Sequence, residues 1–131
     1  MSGYILDELA LIAGLTAQGE EHHRLELSRL LIAAIDSGPS IGVPALCLAV
    51  AAVRRPALPG HLAELVTGGP PGAIEIIGLR RTPDVVLLRA EHPGIEWPVL
   101  HAASTASQSQ VPIVTTAPGR YTETVVEAIR L

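Results

Sequence analysis

Short apolar runs that favour β-structure alternate along this chain with longer stretches whose apolar residues recur at helical spacing. The β-prone runs occupy residues 4–6, 40–43, 73–79 and 111–116. The tail at 123–131 is either an edge strand or a short helix, and we favour the strand. Strands that alternate with helices form a parallel sheet with helices on both faces. We therefore predict a single α/β domain over residues 1–131, with three α/β/α layers and a mainly parallel sheet of four to five strands.

The predicted helices fill the stretches between these runs. In the second of them, the apolar residues recur at helical spacing, which indicates an amphipathic helix; they are Leu27, Leu30, Leu31, Ala34 and Ile35. By the same criterion we predict helices at 8–15, from 20 to just before Gly38, from 44 to 55, at 59–66, from 82 to about 92, and at 97–110.

The order of the strands predicts where a ligand-binding crevice lies. In a parallel sheet, ligand sites lie beyond the carboxyl ends of the strands. Asp7 follows the first strand and Ala117 follows the fourth, so we expect both residues at the same crevice.

The composition argues against a broad nucleic-acid surface and for a partner. All nine basic residues are arginine, which suggests a GC-rich genome, and the net charge of -4 with three aromatic residues is poorly suited to binding phosphates or stacking bases. The mean hydropathy of +0.39 is high for so small a protein. We therefore expect a homodimer or a permanent protein partner to cover apolar surface.

The sequence predicts a cytoplasmic protein. The only cysteine, Cys47, forms no internal disulfide, so no oxidising compartment is required. Asp7 and Glu8 interrupt the first apolar stretch, which is unlike a signal peptide, and no later run has transmembrane length.

Three segments, in order, carry a resemblance to a known family. They are YILDELALIAGL at 4–15, GVPALCLAVAAVRR at 42–55 and WPVLHAASTASQSQVPIVTTAPGRY at 97–121. Together they resemble the PIN-domain family, which includes the toxin ribonucleases of bacterial toxin–antitoxin pairs. The resemblance implies a PIN-like fold and an acidic site that holds Mg²⁺ or Mn²⁺ for RNA cleavage.

The acidic positions that the resemblance implies are mostly lost in this sequence. The first family acid corresponds to Asp7, whereas the other three fall at Val50, Pro98 and Ala117. None of these three side chains carries an oxygen, and a lone carboxylate is a poor site for Mg²⁺. The matching pocket would consist of Asp7 with Thr115 and Thr116 from the fourth strand, so we expect no catalytic residue and no cofactor.

Three functions follow from this pattern. The leading hypothesis is a catalytically degenerate PIN-like protein that acts by protein association, in regulation, as a homodimer or with an antitoxin-like partner. An alternative is a metal-dependent, VapC-like endoribonuclease that holds Mg²⁺ or Mn²⁺ with Asp7 and Glu96. A further alternative is a non-catalytic RNA or nucleotide binder, and its candidate RNA contacts are Arg54, Arg55 and Arg120.

Simpler roles are expected for the individual polar residues. An aspartate between a strand and a helix is an ordinary helix cap, which is our prediction for Asp7. Glu96 fits a solvated glutamate at a helix start. No matching ligand stands at a recognised zinc spacing from His22, His23 or His101, so we expect no zinc site. We expect solvated side chains or hydrogen-bonded helix positions for the remaining candidates, which are Glu8, Asp36, Glu91, His22, His23 and His101.

Overall fold

A five-stranded parallel sheet forms the centre of the protein. The computed structural model describes residues 3–36, 38–79 and 82–131. Its strands run in the spatial order β3-β2-β1-β4-β5, and every neighbouring pair is parallel. Their bounds are Gly3–Leu6 for β1, Ser40–Pro44 for β2, Ile74–Ile77 for β3, Ile113–Thr115 for β4 and Ala128–Arg130 for β5. The predicted α/β architecture is confirmed, and so is the edge strand at the tail.

The described residues form six α-helices and one 3-10 helix between the strands. The α-helices are α1 (Glu8–Gly14), α2 (Glu21–Ile35), α3 (Ala45–Arg54), α4 (Leu58–Gly68), α5 (Thr82–Glu91) and α6 (Trp97–Ser109). Each starts and ends within a few residues of its predicted position. The 3-10 helix, Pro118–Tyr121, was not predicted, because a four-residue segment with Pro and Gly gives no helical periodicity.

Apolar side chains alternate along the strands and fill one core on each face of the sheet. Leu6 and its register partner Val114 belong to the core beneath α1, α2 and α4. Ile5 and its partner Ile113 belong to the opposite core beneath α6. Because successive side chains of a strand point to opposite faces, this pattern requires helices on both sides and gives three layers.

The carboxyl edge of the sheet collects the segments that follow the strands. β1 and β4 are neighbours in register, so Asp7, directly after β1, lies beside Thr115, the last residue of β4. α3 begins at the same edge because it follows β2 directly. The starts of α1 and α3 and the 3-10 helix thus meet at the edge of the sheet where the crevice was predicted.

The described residues contain no helix that is both long and apolar enough to cross a membrane.

The crossing of α1 and α2 depends on a glycine. A Cβ atom added to Gly14 would lie 2.5 Å from Leu27 Cδ2 and 2.6 Å from Leu27 Cβ, inside contact distance. Leu27 is fully buried and has little room to move aside. The missing side chain of Gly14 therefore sets how closely the two helices approach.

We expect Gly14→Ala to lower the free energy of unfolding by up to about 2 kcal/mol, because overpacking outweighs the gain in helix propensity. Chemical denaturation measures this change. Gly60→Ala is the matched control, since Gly60 lies within α4 and a Cβ there meets no atom within 4 Å. We expect this control to be stabilised by about 0.5–1 kcal/mol. Equal effects of both substitutions would contradict the proposed role of Gly14.

Candidate functional site

Asp7 caps α1 and is completely buried. Its Oδ1 accepts a hydrogen bond of 2.9 Å from the backbone N–H of Ala10. An N-cap aspartate satisfies a backbone donor that the first helical turn leaves free. The predicted capping role of Asp7 is confirmed.

Three side chains, one from the end of β4 and two from the 3-10 helix, also bind the Asp7 carboxylate. The Tyr121 hydroxyl donates to Oδ2 at 2.8 Å, and Arg120 Nη1 donates to the same oxygen at 3.2 Å. The Thr115 hydroxyl donates a further hydrogen bond to the carboxylate. With the Ala10 N–H this makes four donors, about as many as a carboxylate has lone-pair positions. Burial raises the pKa of Asp7 above its usual range, and the hydrogen bonds from Thr115, Ala10 and Tyr121 oppose this shift.

Glu8 forms a two-pronged ion pair with Arg120. Arg120 Nη1 lies 3.0 Å from Glu8 Oε1, and Nη2 lies 2.8 Å from Oε2. Glu8 is only 3% exposed, so the expectation that it is a solvated surface residue is wrong. Glu8 is buried because the 3-10 helix brings Arg120 back to the start of α1. Burial lowers the pKa of Arg120, but the hydrogen bonds and charge of Glu8 outweigh it and raise that pKa above its already high value.

Cys47 and Tyr121 close the buried side of this cluster. The Cys47 thiol donates to the Pro98 carbonyl at 3.3 Å, and burial followed by the charges of Glu8 and Asp7 raises its pKa well above the usual value. The thiol is therefore not activated as a nucleophile, since only the thiolate is reactive. Burial and the charge of Asp7 likewise raise the pKa of Tyr121, which keeps its hydroxyl a donor.

Two of the three positions where the resemblance implies an acid are tied to this cluster. The Ala117 N–H donates to the Thr115 hydroxyl at 3.2 Å, and that hydroxyl donates in turn to Asp7. The Pro98 carbonyl accepts the thiol hydrogen bond already described. Val50 is partly buried on α3, one helical turn after the cysteine.

Two other predicted site residues lie outside the cluster's hydrogen bonds. Glu96 occupies the N-cap position of α6, where it is exposed and makes no side-chain capping bond. Thr116 is partly buried, and its carbonyl accepts a hydrogen bond of 3.2 Å from Arg130. In the described parts of the chain, three potential metal ligands lie close together at another place in the fold. Neither Asp7 nor Glu96 belongs to this group.

The three predicted RNA-contacting arginines differ in their surroundings. Arg120 is engaged with the buried carboxylates and is 18% exposed at its side chain. Arg54 is exposed at the end of α3, and its carbonyl accepts a hydrogen bond of 3.0 Å from Arg55 Nη1. Arg55 Nε is buried without a hydrogen-bond partner. Its residue lines a mainly apolar groove of about 340 Å³ together with Leu15, Thr16, Ala17, Gln18, Pro56, Ala57, Leu58 and His61.

His101 is a buried structural residue, as expected for a hydrogen-bonded helix position. Its Nδ1 accepts from the Leu46 N–H at 3.3 Å, and its Nε2 lies 3.3 Å from the Gly78 carbonyl. Burial lowers the pKa of His101, so the neutral ring is favoured. Both ring nitrogens are thus occupied by backbone groups.

We expect Arg120→Met to lower the free energy of unfolding by about 3–5 kcal/mol, because it leaves Asp7 and Glu8 buried without a cation. Chemical denaturation at pH 7 measures this loss. Arg130→Met is the matched control, since Arg130 is exposed and its guanidinium donates to the Thr116 carbonyl, and we expect it to change stability by less than about 0.5 kcal/mol.

A second variant separates charge from packing. Adding Asp7→Asn and Glu8→Gln to Arg120→Met removes the uncompensated charges, so we expect part of the lost stability to return. If Arg120→Met behaved like Arg130→Met, the ion pair would not contribute to the fold as described.

Comparison with known proteins bears on the fold. No protein-family model and no curated protein matches the chain. Among solved structures it is similar to VapBC2 from Rickettsia felis bound to a promoter DNA fragment, at 16% identity over 98% of each chain and a TM-score of 0.69. It is also similar to a toxin–antitoxin complex from Klebsiella pneumoniae, at 14% identity over 97% of this chain and 96% of that chain, with a TM-score of 0.66.

A third structure, FitAB bound to an IR36 DNA fragment, aligns at 16% identity over 97% of this chain and 94% of that chain, with a TM-score of 0.64. At such identities the likeness concerns the fold. The strand order and the helices on both faces, together with this likeness, establish that the chain has the PIN-domain fold that its sequence resembles.

Proposed function

We propose that this protein is a catalytically degenerate PIN-fold protein that acts by binding a protein partner of the antitoxin type, in a regulatory role. One observation carries the proposal: four internal donors, Arg120 among them, saturate the carboxylate of Asp7. Asp7 is the one acid of the four-acid family pattern that this sequence retains.

The side chains around Asp7 do not fit an Mg²⁺ or Mn²⁺ ion. Such an ion needs several oxygen ligands and keeps part of its water shell. The lone pairs of Asp7 are taken, and both oxygens of Glu8 face the guanidinium of Arg120. This guanidinium supplies the positive charge that a metal would otherwise bring, and the absence of cofactors therefore remains part of the proposal.

The nuclease alternative requires a different arrangement of the same residues. Arg120 would have to leave Asp7 and Glu8, and Glu96 would have to turn from solvent into the crevice. Breaking a buried pair in this way costs about 3–5 kcal/mol before any ligand is gained. We therefore favour a protein without endoribonuclease activity.

A metal-dependent RNA cleavage assay tests this directly. We expect no cleavage above background with Mg²⁺ or Mn²⁺, and we expect Asp7→Asn to leave that background unchanged. Background from a contaminating nuclease would be shared by both preparations. Stimulated cleavage that Asp7→Asn abolishes would overturn the proposal and favour the ribonuclease alternative.

The groove beside Arg55 is our proposed docking surface for the partner. It is lined mainly by apolar atoms, and Arg55 adds a guanidinium to the lining. The partner segment that fits is therefore apolar and carries one carboxylate that can pair with this guanidinium. One of the structural neighbours is a toxin–antitoxin complex by name, which supports a partner of that type.

Self-association remains a further part of the proposal. Several large apolar side chains are exposed on the described surface, among them Val53, Val86, Leu87 and Val125. Their burial between two copies would account for the high mean hydropathy.

We expect Ala57→Arg to weaken binding of the partner recovered by co-purification by about tenfold or more, equivalent to about 1.4 kcal/mol. Ala57 lines the groove, so a long charged side chain would fill it. Ala63→Arg is the control on the exposed face of α4, outside the groove lining. Isothermal titration calorimetry compares the two variants. Equal binding by both would show that the partner docks elsewhere.

A further inference from the structure

Three potential metal ligands meet at the start of α2, away from the Asp7 cluster. They are the carboxylate of Glu20 and the imidazoles of His22 and His23, and their ligand atoms all lie within 4.8 Å of one another. The sequence predicted no zinc site here, because none of the recognised zinc spacings occurs. The turn into α2 brings the three groups together despite their unusual spacing.

The distances suit a small transition-metal ion. His22 Nδ1 lies 3.4 Å from Glu20 Oε2. In a tetrahedral zinc site with ligand distances of about 2.0–2.2 Å, neighbouring ligand atoms are about 3.3–3.6 Å apart. The rings of His22 and His23 have centroids 4.0 Å apart and are inclined by 47°, so the second imidazole reaches the same space.

The side chain of Glu20 is directed to this cluster although it occupies a capping position. Glu20 is the N-cap residue of α2, yet it makes no side-chain capping hydrogen bond. Its carboxylate instead faces His22. The positive end of the helix disfavours a cation here by only about 0.3–1 kcal/mol, which is small beside the binding energy of zinc.

We propose that Glu20, His22 and His23 form a surface site for Zn²⁺ or a similar borderline metal ion. Two imidazoles and one carboxylate favour zinc, copper or nickel over Mg²⁺ and Ca²⁺. Three protein ligands leave a fourth position for water or for a group from another molecule. This site is separate from the degenerate crevice around Asp7.

Because of its position, a metal ion bound at this site would affect the loop that joins α1 to α2. The loop that joins α1 to α2 carries Leu15 to Gln18 on the wall of the apolar groove, and Glu20 follows two residues later. A metal ion bound by Glu20, His22 and His23 would fix the end of this loop to the first turn of α2. Metal binding therefore restricts the movement of the groove wall at the end next to Glu20.

Zinc titration of the full-length protein without an affinity tag tests the proposal. We expect one Zn²⁺ per chain at pH 7.5, no binding of Mg²⁺ at the same site, and tetrahedral absorption bands when Co²⁺ replaces zinc.

Variants identify the ligands. His22→Ala and His23→Ala should each weaken zinc binding by about tenfold or more, and Glu20→Gln should weaken it in the same direction. His61→Ala is the control, since His61 is exposed and lies outside the cluster. Absence of zinc binding, or binding that the His22→Ala/His23→Ala double variant retains, would overturn the proposal. Neither result bears on the RNA cleavage assay, so the two proposals fail separately.

Discussion

The buried ion pair between Arg120 and Glu8, shared with Asp7, is the interaction on which the carboxyl edge of the sheet depends. Burying charged groups costs several kcal/mol each, and their attraction compensates only when the remaining lone pairs and protons are also satisfied. Here the guanidinium meets Glu8 through two parallel hydrogen bonds, and Asp7 receives four donors. The pair joins residues 112 and 113 positions apart along the chain. It thereby fixes the start of α1 against the 3-10 helix that follows β4.

This arrangement changes what the crevice does chemically. A cluster of carboxylates without a cation repels itself and binds metal ions readily. The guanidinium of Arg120 offsets one of the two negative charges and occupies carboxylate oxygens that water or an ion would otherwise contact. The crevice is thus better suited to hold β1, α1 and β4 together than to activate a water molecule. On our proposal, binding has moved to the groove at the end of α3, where the guanidinium of Arg55 lies among mainly apolar lining atoms.

The sequence predicted the parts of the structure that depend on local periodicity. Apolar alternation and helical spacing were enough for the strands and α-helices, and the strand-to-helix junction was enough for the cap at Asp7. The same rule that placed Asp7 and Ala117 at one crevice also applies to Glu8 and Arg120, which follow the same two strands. Their pairing was missed because charged residues are usually solvated, and because no local pattern links positions so far apart in sequence. The meeting of Glu20 with His22 was missed for a different reason, since it depends on the turn into α2 and not on a spacing.

A crystal structure of the protein grown with Mn²⁺, analysed by anomalous diffraction, tests the central claim most directly. The account predicts electron density for the Arg120 guanidinium between Asp7 and Glu8 and no manganese peak at that position. A manganese peak bound by Asp7, with Arg120 turned away into solvent, would contradict it.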